Sequence, residues 1–192
     1  MMRIFIGAAL GASVLFVWGA VSWVFVPWHE LETHPREEAL LKSFTMGDVP
    51  TGVYTLPQMF PDPSWEPQQR EIWMEKQTAK HEEGPLATIV YTAEGSPPMP
   101  VLRHVYGLGL YFVTALVAAT LVAMAGGSLK GYFGRLLFVL LLGVFVAVGK
   151  TMIQWSYLRF PLVFSLEWAA DDVVAALLLG LVLAPIVRPR GP

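Results

Sequence analysis

The chain has 192 residues, of which 55% are hydrophobic and only 15% are charged. Soluble domains carry about 25% charged residues, so this composition excludes a free soluble enzyme and a disordered chain. A formal charge of −2 excludes a basic nucleic-acid binder, and the absence of cysteine excludes disulfides, thiolate zinc sites and iron–sulfur clusters. The excess apolar surface must therefore be covered by lipid or by a partner protein.

The hydrophobic residues are concentrated in four runs, and the first two runs contain no charged residue. A helix needs about 20 apolar residues to cross a bilayer. The runs therefore predict an all-α membrane protein with four transmembrane helices, at residues 4–26, 105–126, 133–155 and 166–187.

The first run is either a cleaved secretory signal or a membrane anchor. A signal has an apolar core of about 7–15 residues that is followed by small residues. This run is longer, and the bulky residues Trp23, Phe25 and Trp28 stand where a signal needs small ones. We therefore expect an uncleaved anchor.

Lysine and arginine in the short flanks predict the orientation, because such residues are enriched on the cytoplasmic side. The short loop between the third and fourth runs holds only Arg159. The opposite side would hold Arg3, Lys130, Arg135, Arg188 and Arg190. Both termini are therefore predicted to be cytoplasmic, with residues 28–104 on the outer side of the membrane.

Residues 28–104 differ from the rest of the chain, since they carry six Lys and Arg against twelve Asp and Glu. Propensities and Pro positions predict a small α-β-α-β segment between the first two membrane helices. Its helices are expected from about Pro35 to Phe44 and over Pro67–Glu82, and its strands over Thr51–Leu56 and Leu86–Ala93. Without cysteines, so short a segment is expected to rest on the membrane bundle.

Charged residues inside the predicted membrane helices are candidates for function, since each costs several kcal/mol unless it is paired or hydrated. Lys150 and Asp171 fall at similar depth on the third and fourth helices, which a short loop makes antiparallel neighbours. We therefore expect them to pair. Helical spacing adds Gln154 beside Lys150 and Glu167 beside Asp171, whereas Asp172 should face another neighbour.

This charge cluster has two interpretations, a structural ion pair that joins two helices and a proton or ion relay. The structural interpretation predicts that Lys150→Ala lowers the yield of folded protein and that Asp171→Ala partly restores it.

The histidines give no strong metal or catalytic motif. His29 and His34 in HELETH are five residues apart, whereas a zincin helix needs a spacing of four. His29 and His104, at the outer ends of the first two helices, could share a metal or a haem. The simpler interpretation is two interfacial histidines, and no cofactor is predicted. Ser22 stands beside no His or acid in a catalytic sequence pattern, and no catalytic residue is predicted.

Gly7 and Gly11 form a small-x-x-x-small pattern in the first helix. Such spacing lets two membrane helices approach closely. The partner is either another helix of the bundle or a second protein.

Several short motifs resemble those of a small family of bacterial inner-membrane proteins to which no activity is assigned. They are Phe16–Trp18–Gly19, Ser22–Trp23, Pro27–Trp28–His29, Gly52–Val53–Tyr54 with Pro57, Gly84–Pro85, Phe160–Pro161 and Gly180–Leu181–Val182–Leu183–Ala184. The resemblance implies the topology and the inner-membrane location, but no reaction.

Three functions are compatible with the sequence. The first is a non-enzymatic accessory or structural subunit of a membrane complex, with a membrane-protein partner or a second copy of the chain. The second is a small proton- or ion-coupled transporter that uses the Lys150–Asp171 cluster. The third is a haem- or metal-binding redox protein that uses His29 and His104.

Overall fold

The computed structural model describes residues 1–29, 31–129 and 131–188. Lys130 and Arg190, which support the predicted orientation, and Glu30 of the HELETH motif lie outside the described residues. The chain divides into two compact units, a membrane unit of Met1–Leu31 with Pro98–Pro192 and a small unit of Glu32–Pro97.

The helices and strands are numbered in chain order. They are α1 (Met2–Phe25), α2 (Glu37–Met46), β1 (Gly52–Leu56), α3 (Pro67–Glu83), β2 (Ala87–Tyr91), α4 (Val101–Met124), α5 (Tyr132–Val146), α6 (Ile153–Leu158) and α7 (Leu162–Ile186). A 3₁₀ turn at Gly126–Leu129 precedes α5, and a π-helical turn at Ala147–Met152 joins α5 to α6.

Among the described residues, four helical spans are long and apolar enough to cross a membrane, namely α1, α4, α7 and the continuous stretch Tyr132–Leu158. The predicted all-α membrane architecture is confirmed at this level, together with a small sheet. Helices α4 and α7 begin four residues before the predicted runs, since each starts directly after a proline, Pro100 or Pro161. Proline fixes a backbone angle suited to a helix start, and polar residues of the first turn do not stop the helix.

Helix α1 packs antiparallel to α7 along its glycine-bearing face. A methyl group added at Gly7 would lie 2.9 Å from a Val187 methyl, and one at Gly11 would lie 2.6 Å from a Leu179 methyl. Both glycines are buried. The small-x-x-x-small pattern therefore lies against another helix of the same bundle.

Helix α5 packs antiparallel to the other side of α7. Gly143 is buried, and a methyl group there would overlap the Ala176 side chain. At the far end of this contact, the buried Arg135 donates from Nε to the Ala184 carbonyl at 2.7 Å. This carbonyl lies in the last turn of α7, where main-chain acceptors lack helical partners and attract a cation.

The four membrane helices follow the order α4, α1, α7, α5 in space, because α4 packs along α1 and α5 packs along α7. Their core is built mainly from alanine, valine and leucine side chains. Contact between α4 and α5 is slight by comparison. An apolar cleft of about 360 Å³ therefore opens between these two helices.

The small unit contains helix, strand, helix and strand in the order that the sequence predicts. Strands β1 and β2 pair antiparallel from Gly52 opposite Tyr91 to Leu56 opposite Ala87. The Phe44 ring of α2 stacks on Tyr91 with ring centres 4.7 Å apart. This contact holds the apolar face of α2 on the sheet, within a unit that has no fully buried residue among its helices.

Candidate functional site

Asp171 lies in α7 and accepts two hydrogen bonds from α1. The indole Nε1 of Trp18 donates to Asp171 Oδ1 at 2.8 Å, and the Ser22 hydroxyl donates to the same oxygen at 2.7 Å. Trp18 and Ser22 are four residues apart, so both point from one face of α1. The carboxylate is about 14 Å along α7 from Leu162, well within the apolar part of the helix.

His29 completes the cluster from the segment that follows α1. Its side chain is only 4% exposed, and its Nε2 lies 2.9 Å from Ser22 Oγ and 3.6 Å from Asp171 Oδ2. The hydroxyl of Ser22 has one hydrogen, which is donated to Asp171. Ser22 must therefore accept from His29, which places a proton on Nε2. The second ring nitrogen, Nδ1, is buried without a hydrogen-bond partner in the described structure.

Two tryptophans enclose the His29 ring. Trp23 stacks on it with centres 4.4 Å apart and planes 12° apart, and Trp168 meets it edge-on at 5.3 Å. The Trp23 face covers a neutral ring and also attracts a cation, because an aromatic face carries negative potential. The aromatic enclosure therefore suits either protonation state of His29.

An ionised Asp at the centre of a membrane helix costs about 2.5–3.5 kcal/mol on insertion scales. Hydrogen bonds between membrane helices return on average about 0.6 kcal/mol each and at most about 1.7. Two donors from α1 therefore offset only part of the cost of a charged Asp171. Either a proton on Asp171 or a positive charge on His29 would offset the rest, so the cluster is suited to bind a proton.

The predicted pairing of Lys150 with Asp171 is wrong. No ion pair of Lys150 is found among the described residues, and its side chain is exposed. Lys150 belongs to the π-helical turn, whose buried side chains are Ala147 and Thr151. Because this turn holds more residues than an α-helical turn, the spacing rule used for the prediction does not apply, and Thr151 rather than Lys150 faces α7.

The other residues of the predicted charge cluster are separated. Asp172 accepts a hydrogen bond from the Thr151 hydroxyl at 2.9 Å, so it faces the π-helical turn, whereas Asp171 faces α1. Gln154 and Glu167 are half-buried, and no hydrogen bond from either to Asp171 or Lys150 is found in the described part of the chain.

Ser22, His29 and Asp171 do not form a hydrolytic triad. In such a triad the carboxylate holds Nδ1 of the histidine and the serine lies at Nε2. Here both Ser22 and Asp171 lie at Nε2, and Ser22 is fully buried. The sequence pattern around Ser22 did not reveal that Asp171 and His29 lie beside its hydroxyl. The available signal was the Trp18–Ser22 spacing followed by Pro27, which turns His29 back toward the helix.

The two candidate metal ligands have different surroundings. His29 is enclosed as described, whereas His104 is exposed, its Nδ1 lies 3.3 Å from the Pro100 carbonyl, and its ring meets Phe16 edge-on. Among the described residues no group of three or more His, Asp and Glu side chains is arranged to hold a metal.

Comparison of the chain with protein-family models, curated proteins and solved structures finds no match. The resemblance to a family of bacterial inner-membrane proteins therefore stays a prediction, and the function must be argued from the site itself.

Proposed function

We propose that this chain is a proton-coupled membrane protein in which Asp171 and His29 form the proton-binding site. The observation that carries the proposal is the continuous hydrogen-bonded path Asp171–Ser22–His29, which ends at the unpartnered Nδ1 of the histidine. Ionisable groups inside membrane helices that face the bundle interior are typical of proton pathways.

In the described part of the chain, the ionisable side chains nearest to Asp171 along α7 are Glu167 and Asp172. The Tyr111 hydroxyl of α4 packs beside Gly19, the residue that follows Trp18 in α1. Glu167 precedes Asp171 by one turn, and Asp172 follows it on another face of α7. His29 lies beyond the end of α1, and its Nδ1 has no hydrogen-bond partner among the described residues, so His29 is assigned the exchange of the proton with the aqueous side.

The proposed location is a bacterial inner membrane, with both termini in the cytoplasm and residues 28–104 in the periplasm. In this orientation the end of α1 that carries His29 lies on the periplasmic side. The proton would then enter from the periplasm, and the small α-β-α-β unit would stand on that side.

A second candidate is the accessory subunit expected from the sequence. The same cluster supports it, because the bonds from Trp18 and Ser22 to Asp171 join α1 to α7 and would act as a structural lock. A lock needs the hydrogen bonds but no change of protonation, so the two functions predict different titrations.

The test measures protons bound by the purified protein in nanodiscs between about pH 5 and 8, together with the infrared band of protonated carboxyl groups. Asp171→Asn should remove one titrating group and the corresponding band, and His29→Gln should displace the titration. Asp172→Asn is the matched control, since it changes an adjacent carboxylate outside the cluster. Coincident curves for the wild type and Asp171→Asn would refute the proton site and leave the lock.

A further inference from the structure

The cleft between α4 and α5 has a mainly apolar lining, and its polar side chains are Asp172, Tyr111 and Thr114, of which Thr114 donates its hydroxyl hydrogen to the Leu110 carbonyl. Asp172 and Tyr111 each lie ten residues after the start of their helix. Gly11 packs on Ala115, and Gly19 packs beside the Tyr111 hydroxyl, so α4 runs antiparallel to α1 and parallel to α7. The two polar groups therefore lie at the same depth, about 15 Å from the helix starts. The remaining lining is mainly aliphatic and aromatic, and includes Leu15, Val117, Leu121, Leu142, Phe145 and Val146.

Asp172 is held so that one of its oxygens is left for a ligand. Thr151 donates to Oδ2, and no hydrogen bond to Oδ1 is found among the described residues. Thr151 is itself buried, so this contact fixes the carboxylate at the border between the π-helical turn and α7. A carboxylate at this depth favours a group that donates hydrogen bonds or carries a positive charge.

We propose that this cleft binds a membrane-dissolved molecule with an apolar chain and a compact head that donates hydrogen bonds, which Asp172 receives. The cleft volume of about 360 Å³ is within the range of about 300–1,000 Å³ for small-molecule sites. Depth excludes a phospholipid headgroup as the group at Asp172, because headgroups lie at the edge of a hydrocarbon core about 30 Å thick. The proposal does not rest on the proton site, because Asp171 accepts its hydrogen bonds from α1, whereas Asp172 is held by Thr151.

The test uses n-decylamine, n-decanol and decanoate, which share one chain and differ in the head. Affinities are measured by titration of the full chain in nanodiscs. The amine and the alcohol should bind, and decanoate should bind at least about ten-fold more weakly. Asp172→Asn should weaken the amine about ten-fold and abolish the preference over the acid, whereas Asp171→Asn should preserve it.

A second pair of variants tests the cleft without changing the carboxylate. Val146 lines the cleft and Val144 does not, although both are partly exposed valines of α5. Val146→Trp should abolish binding of the amine, and Val144→Trp should retain it. Equal affinity for the three probes would refute the proposal, as would retained binding in Val146→Trp. The latter result would mean that the amine binds outside the cleft.

Discussion

Trp18→Phe isolates the hydrogen bond that Asp171 receives from the indole, since phenylalanine keeps an aromatic ring at this position. A hydrogen bond to a charged group contributes about 1.5–3 kcal/mol in soluble proteins, whereas bonds between membrane helices average about 0.6 and reach about 1.7 kcal/mol. The overlap of these ranges gives about 1.5 kcal/mol. A chain of this size loses about 2–4 °C in Tm per kcal/mol, so a decrease of about 3–6 °C is expected.

The assay is thermal unfolding of the purified variants in one detergent, analysed as a double-mutant cycle with Asp171→Leu. Trp18 also meets Trp28 edge-on at 6.4 Å, and the cycle separates this packing from the hydrogen bond. When Asp171 is already replaced by leucine, Trp18→Phe should lower the stability by less than it does in the wild type. The difference between the two losses is the contribution of the Trp18–Asp171 hydrogen bond. Trp155→Phe is the control, because this tryptophan is 42% exposed. An equal loss in both backgrounds would refute the assigned hydrogen bond.

Three further predictions follow from contacts elsewhere in the chain. Lys150→Ala should leave Tm and the yield of folded protein unchanged, because no ion pair of Lys150 is found among the described residues. A clear decrease in either quantity would show that Lys150 does pair with an acidic residue of α7. Gly143→Ala should lower the free energy of unfolding by about 1–3 kcal/mol, because the added methyl group overpacks against Ala176 of α7. Gly149→Ala is the control and should not lower Tm, because a methyl group there meets open space. Equal Tm values for the two variants would contradict the close packing at Gly143. Hydrogen bonds from the side chain and backbone of Ser64 lower the pKa of Asp62. Ser64→Ala should therefore raise that pKa toward its usual value in an NMR titration. Because the folded pKa is lowered, these bonds stabilise the fold above the usual pKa and are lost as the pH falls through the lowered one; an unchanged titration would contradict this assignment.

The membrane helices could be predicted because the length of an apolar run is a local property, set by bilayer thickness alone. The strands β1 and β2 could be predicted for a similar reason, since β-branched residues are concentrated in Thr88–Val90 and prolines lie close to both strands.

The candidate site required tertiary information that the sequence pattern does not contain. The sequence predicts that Asp171 pairs with Lys150 on the preceding helical span. Its hydrogen-bond donors instead come from α1, more than a hundred residues away in the chain. The π-helical turn changed which residue of the third span faces α7, and helical spacing cannot reveal such a turn. The pair Trp18 and Ser22 was detectable as a polar pair on one face of an apolar helix.

The position of the Ser22 hydroxyl between two protonatable groups has a consequence for how charge is distributed in the site. With His29 protonated at both nitrogens, the Nε2 proton can pass to Ser22 Oγ while the serine hydrogen passes to Asp171. The result is a neutral carboxylic acid beside a neutral imidazole that keeps its proton on Nδ1. Both arrangements use the heavy-atom distances of 2.7 and 2.9 Å already present. The site can thus exchange an ion pair for two neutral groups by reversing the direction of its hydrogen bonds, without moving a helix.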